Sequence, residues 1–156
     1  MGEKIVMSWQ DFEQACRQLA EQINSEEIDA IICVARGGLT FGHYMGELLG
    51  LPVGVVAAEK TKTEEGKEYK VDTHVVGLFP PTKTLNFRRV LLCDDCLDGA
   101  NTVRKIMGNL RSFTNVEKFT ICVLVRKKNK MNEMLKEKIL YWQWTDKWVQ
   151  FAWEQK

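Results

Sequence analysis

Four short apolar runs, at residues 28–35, 53–58, 89–93 and 120–125, constrain the fold more than any other feature of the sequence. Each is short for a helix and too continuous for a strand with one wet face, so each reads as a strand covered on both sides. Between them lie segments whose apolar residues recur every three or four positions, the period of a helix. Ser8, with Asp11 three places on, gives a helix start signal, and Trp9, Phe12, Cys16, Leu19 and Ile23 then share one face. A second helix is expected over 39–49, where Gly50 offers a left-handed stop and Pro52 bars continuation. A third, after residue 102, places Val103, Ile106, Met107 and Leu110 together. Residues 131–138 read as a further helix and 139–144 as extended chain, ahead of an aromatic-rich stretch at 148–153.

Strands alternating with helices imply right-handed crossovers, and hence an α/β fold with a mostly parallel sheet and helices on both faces. In that architecture ligands bind at the C-terminal ends of the strands. A length of 156 residues, 45% apolar and 28% charged, suits a single domain over 1–156, and no internal repeat suggests a second. Residues 59–70 alternate Lys, Glu, Thr and Gly with hardly an apolar residue before Tyr69, which predicts a mobile loop or hairpin tip. Pro80 and Pro81 mark another loop.

Charge excludes one class of function. Twenty-two Lys and Arg against twenty-one Asp and Glu leave +1, too little to neutralise a nucleic-acid backbone, so an anionic ligand must be held locally. The five cysteines, Cys16, Cys33, Cys93, Cys96 and Cys122, are odd in number and sit mostly within apolar runs, as suits a reducing compartment. The apolar runs fall far short of the ~20 residues a membrane-spanning helix needs. No charged-then-apolar leader pattern is visible, and Val6 stands where a myristoylation motif wants Ser or Thr. The expectation is a cytoplasmic protein without membrane or nucleic-acid partners.

The chemistry concentrates at residues 89–102, where a strand delivers Asp94, Asp95 and then Asp98, followed by Gly99, Ala100, Asn101 and Thr102 opening a helix. Backbone N–H groups at a helix N-terminus can cradle a phosphate, and the Thr102 hydroxyl can add a donor. Three carboxylates beside such a site would repel a bare anion. They make sense facing hydroxyl groups, a divalent cation or a proton to be moved, all of which a sugar phosphate with Mg²⁺ supplies. Capping the helix and solvating the loop is the plainer role open to the same acids. A second strand end, Arg36-Gly37-Gly38, would present anion-binding groups at the same sheet edge.

Residues 90–102 resemble the phosphoribosyl-pyrophosphate motif of type I phosphoribosyltransferases, and residues 34–39 resemble their pyrophosphate loop. The N-terminal segment with Trp9 and the C-terminal segment from Asp146 through Glu154 look like the ends of short xanthine-guanine and hypoxanthine-guanine members. The resemblance implies the family fold with a small hood for the base built from the two chain ends. It also implies that Arg36, Gly37 and Gly38 hold pyrophosphate, that Asp94 and Asp95 face the ribose and its Mg²⁺, and that Gly99, Ala100, Asn101 and Thr102 hold the 5′-phosphate. Asp98 becomes the general acid or base near purine N7, Trp148 the stacking platform, and the Val149 backbone a reader of the base edge. Glu154 helps order a second Mg²⁺. In the closest register Arg126 takes the place of the family lysine that meets the 6-oxo group, with Lys127 and Lys128 next. Gly99-Ala100 stands where the family has Thr-Gly, removing a hydroxyl donor and adding a methyl. The segment 59–70 falls where the family has a flexible lid that excludes water, although a solvated surface hairpin fits its charge equally well.

The function expected is purine salvage, with phosphoribosyl pyrophosphate and guanine, xanthine or hypoxanthine as substrates, in a homodimer or homotetramer. Gly99-Ala100 supports an alternative, a nucleotide-sensing regulator that keeps the fold with little or no turnover. Cys93 and Cys96 have half the spacing of a zinc site, but no second pair follows. The basic run 126–130 reads as a loop face beside the purine pocket. His43, His74, Trp142, Trp144 and Trp153 are assigned no role.

Overall fold

The computed structural model describes residues 3–65 and 68–154. In chain order the elements are β1 (Lys4–Val6), α1 (Trp9–Glu21), β2 (Ala30–Ala35), α2 (Leu39–Leu49), β3 (Val53–Glu65), β4 (Glu68–Phe79), β5 (Arg89–Leu97), α3 (Asn101–Phe113), β6 (Lys118–Arg126), α4 (Lys130–Glu133), β7 (Lys138–Trp144) and β8 (Trp148–Gln150). A 3-10 turn at Ser25–Glu27 leads into β2. Six strands form one sheet in the order β4-β3-β2-β5-β6-β7. All neighbours run parallel except β3 and β4.

Side-chain alternation builds two cores. Strand β2 sends Ile31 and Cys33 toward α1 and α2, and Ala30, Ile32 and Val34 toward α3. Strand β5 divides Leu91 and Cys93 from Val90 and Leu92 in the same way. Both faces are dry, which is why these strands read as unbroken apolar runs. The helices close as their sequences dictate. The Ser8 hydroxyl accepts from Asp11 N at 3.0 Å while Asp11 accepts from Ser8 N at 2.9 Å, and α2 stops at Gly50 with φ 66°.

Strands β2 and β5 are neighbours, yet β2 feeds α2 on one face and β5 feeds α3 on the other. A crevice must therefore open between their C-terminal ends, the switch point of an open α/β sheet. A second, two-stranded sheet pairs β1 with β8 in parallel, Lys4 opposite Trp148. It brings the two terminal segments together as the hood. Phe12 and Trp153 meet edge-to-face at 5.6 Å, and Phe151 stacks on Trp153 at 5.0 Å. No helix among the described residues is long and apolar enough to cross a membrane.

Three boundaries differ from expectation. The polar stretch 59–70 is strand on both sides, with Glu59 opposite His74 and Glu65 opposite Glu68, and the tip of the expected lid, residues 66–67, lies outside the described residues. An antiparallel ladder is held by backbone hydrogen bonds and needs no buried face, and Thr61, Thr63 and Val71 favour extended backbone. The helix expected over 131–138 is a single turn, α4, because β7 claims the chain from Lys138 to pair with Thr120. Strand β5 runs on past Cys93 through both acids, with Asp94 opposite Val123 and Leu97 opposite Arg126.

Candidate active site

The turn after β2 is pressed against the end of β5. Gly38 N donates to Val34 O at 2.8 Å, Leu39 N donates to Arg36 O at 3.1 Å, and the Ala35–Arg36 peptide is cis. A methyl on Gly38 would lie 2.5 Å from the Cys93 carbonyl oxygen and 2.8 Å from that of Val34. A methyl on Gly37 would lie 2.6 Å from the Asp95 carboxyl carbon. Both glycines are thus demanded by the close approach of another segment, and Gly37 lets the Asp95 carboxylate lie directly over the turn.

At the end of β5, Asp94 Oδ1 accepts from Asp95 N at 2.8 Å, which fixes the first carboxyl beside its own backbone. The N-cap of α3 is Ala100, itself buried, and it supplies no side-chain hydrogen bond to the first turn. The N–H groups that a Ser, Thr or Asp would satisfy are left to another acceptor. The Thr102 hydroxyl lies 3.0 Å from that of Thr73, midway along β4. A cleft of about 860 Å³ opens here, lined by Arg36, Gly37, Asp94, Asp95, Asp98, Gly99, Asn101 and Thr102 on the sheet side.

Lys127, just past the end of β6, and Trp148, at the start of β8, form a second wall of the cleft. Trp148 is 59% exposed, and Lys127 Nζ donates to Lys147 O at 2.5 Å. Lys127 N donates to Leu97 O at 2.8 Å, tying this wall to the acid-bearing strand. The exposed Asp98 carboxyl accepts from Asn129 Nδ2 at 3.1 Å. Cys96, also at the cleft, has its thiol pushed up to about 12 by burial and then by the Asp95 charge. Burial and Asp94 do the same to Cys33. A thiol held this far above neutral pH is a poor nucleophile, so the cleft's reactive groups are its carboxylates and cations.

A model of the phosphoribosyl transferase domain matches residues 4–155 of the chain. The chain belongs to this family. Xanthine-guanine phosphoribosyltransferase of Vibrio atlanticus (strain LGP32) is 28% identical over 108 residues, 68% of this chain and 65% of that protein. The chain thus matches just under two thirds of that relative's length. Purine phosphoribosyltransferase from Pyrococcus horikoshii Ot3 shares the fold with a TM-score of 0.77 and 25% identity, over 98% of this chain and 95% of its own. A hypothetical protein from Neisseria gonorrhoeae with bound ppGpp has a TM-score of 0.84 at 20% identity, over 99% and 91%.

In this phosphoribosyl transferase domain, nine of the residues singled out from sequence line one cleft: Arg36, Gly37, Asp94, Asp95, Asp98, Gly99, Asn101, Thr102 and Trp148. Gly38 and Ala100 are buried behind it, one as a backbone contact and the other as a helix cap. Val149 is buried in the core beside Trp148, its strand paired to β1 at Ile5. Two assignments need correction. Arg126 does not line the cleft, because Nε donates to Asn132 Oδ1 at 3.0 Å and the guanidinium lies over the Tyr141 and Trp144 rings at 5.5 and 5.9 Å. Lys127 takes the cleft position instead. Glu154 is not at the cleft either, since its carboxyl accepts from Phe151 N at 3.4 Å within the turn that ends the hood. Sequence reasoning also missed Thr73, Asn129 and Asn132, none of which sits in a recognisable motif.

Proposed function

We propose that this domain transfers the 5-phosphoribosyl group of phosphoribosyl pyrophosphate to a 6-oxopurine, guanine, xanthine or hypoxanthine, releasing pyrophosphate. One observation carries the reading: the acids of β5, the uncapped N-terminus of α3, and the Lys127–Trp148 wall share a single cleft. The α3 N-terminus and Thr102 suit a 5′-phosphate. The Arg36–Gly37 turn suits the departing pyrophosphate, and Asp94 and Asp95 suit the ribose hydroxyls. The purine would stack on Trp148 with its 6-oxo group toward Lys127. Attack of the purine nitrogen on the anomeric carbon breaks the bond to pyrophosphate, while Asp98 handles the N7 proton. The β3–β4 hairpin would serve as the cover that keeps water from the activated sugar.

The donor set fits Mg²⁺. Asp94 and Asp95 offer hard carboxylate oxygens at the cleft. That suits an ion held by one or two carboxylates with substrate phosphate and water completing its shell. When bound, Mg²⁺ supplies charge neutralisation to the leaving pyrophosphate.

Pyrophosphate release with phosphoribosyl pyrophosphate, Mg²⁺ and a panel of guanine, xanthine, hypoxanthine, adenine, uracil and orotate tests the reading. Base-dependent release with a 6-oxopurine supports it, and release with orotate or uracil alone would overturn it. The hydroxyl donor missing at Gly99 favours a second reading, a nucleotide-binding regulator. Tight nucleotide binding with silence across the panel would select that one.

A further inference from the structure

The base-side wall contains a buried polar device that the transfer chemistry above does not use. Asn132, in the single turn of α4, is 0% exposed, yet both of its donor hydrogens and its acceptor oxygen are engaged. Nδ2 donates to Asp98 O at 2.7 Å and to Lys127 O at 3.0 Å, while Oδ1 accepts from Arg126 Nε at 3.0 Å. An amide has two donor hydrogens, and here each goes to a different loop. Three residues earlier, Asn129 Nδ2 donates to Asp98 Oδ1 at 3.1 Å, while its Oδ1 accepts from Met131 N at 2.9 Å and caps the turn. Arg126 is lodged behind, between Asn132 and the rings of β7.

Resting on the proposed transfer, we infer that Asn129 and Asn132 are positioning residues for it. They join the loop that carries Asp98 to the loop that carries Lys127, so the carboxyl at purine N7 and the ammonium at the 6-oxo edge keep a fixed separation. Asn132 sets the backbone of both loops. Asn129 sets the Asp98 carboxylate through one of its oxygens, Oδ1. Arg126 acts through Asn132 rather than on the base. A buried amide fully used in this way cannot be replaced by an apolar residue without stranding two carbonyls and a guanidinium. A displacement on the order of 1 Å at reacting groups is enough to cost roughly a hundredfold in rate.

The test is steady-state kinetics with phosphoribosyl pyrophosphate and the preferred 6-oxopurine, with melting temperature measured alongside. Asn129→Ser keeps a capping oxygen for Met131 N but cannot reach Asp98. It is expected to lower kcat about tenfold with the KM for phosphoribosyl pyrophosphate and the melting temperature unchanged. In an Asp98→Asn background the same change should cost nothing further, because the amide at 98 can keep the hydrogen bond but cannot handle the proton whose transfer Asn129 positions. Asn132→Asp keeps the acceptor for Arg126 and loses both donors, and is expected to raise the purine KM as well as lower kcat. Should it fail to fold, the Asn129 cycle decides alone. Wild-type kcat in Asn129→Ser, or a loss carried undiminished into the Asp98→Asn background, overturns the inference while leaving the proposed function standing. A wild-type chain that turns over no base overturns the function itself, and that is seen before any variant is made.

Discussion

The two walls of the cleft are fixed by different means. On the sheet side the turn after β2 rests on the end of β5 through glycines, Gly38 against backbone and Gly37 against the Asp95 carboxylate. On the base side, α4 and the chain around Lys127 are tied by asparagine amides, an arginine and aromatic rings. The first arrangement has no tolerance for added volume. The second has no tolerance for a lost donor, because Asn132 is fully buried. A wall of the first kind suits the part of a ligand that never varies, which under the proposed function is the sugar phosphate, and one of the second kind suits the base.

The contrast can be broken most severely at Gly38. Gly38→Ala places a methyl against two carbonyl oxygens that belong to the sheet, so turnover should fall more than roughly a hundredfold. Gly99→Ala, where the nearest atom lies 4.0 Å away, should leave the melting temperature unchanged. Equal thermal losses in the two variants would show that steric approach is not what fixes the turn. Asp98→Asn comes next. It should keep the hydrogen bond geometry and the binding of phosphoribosyl pyrophosphate by calorimetry while losing about a hundredfold or more in kcat. Unchanged turnover would remove Asp98 from proton transfer.

Trp148→Ala should act on the base alone, raising the purine KM about tenfold with little change for phosphoribosyl pyrophosphate, the size of one lost aromatic contact. An equal rise for both substrates would show that the walls are not independent.

The smallest effect belongs to a site on neither wall. Asp29, just before β2, accepts from the Arg89 guanidinium at 2.8 Å and from Arg89 N at 2.9 Å. The Arg89 side-chain hydrogen bond holds its carboxyl down to about 2 from an ordinary 3.8. A depressed carboxylate pKa adds stability above the unfolded value and loses it as pH falls through the folded one. Asp29→Asn should therefore lower the melting temperature by a few degrees at pH 7. The gap should narrow as pH falls below about 4 toward 2, and kcat should be unchanged. The pair is partly exposed, so solvent screening limits the stability at stake to about 1 kcal/mol.

What could be read from sequence follows the same division. The cap at Ser8, the stop at Gly50 and the apolar runs of β2, β5 and β6 depend on neighbours within a few residues or on burial of a whole strand, and both leave a local pattern. The glycine turn and the acids were legible because few residue types can serve there. Arg126 was misread because Trp144 comes to lie opposite it only through the pairing of β6 with β7, and the rings then draw the guanidinium away from the cleft. Asn129 and Asn132 left no signal, since an asparagine in a polar loop looks the same whether it faces water or spans two loops. The β3–β4 hairpin was legible only as one of two alternatives, and the length of its ladder not at all, because it is held by backbone groups that every sequence carries.

Cys33, Cys93 and Cys122 stand in register across β2, β5 and β6. All three are buried free thiols, and burial pushes Cys93 well above its ordinary range. Such a row works as a gauge already installed in the sheet. A small alkylating reagent would meet these thiols only when the central strands part, so its rate of uptake clocks rare openings of the whole sheet. Cys96, half-buried among the residues that line the cleft, does not depend on such an opening and serves as the internal reference.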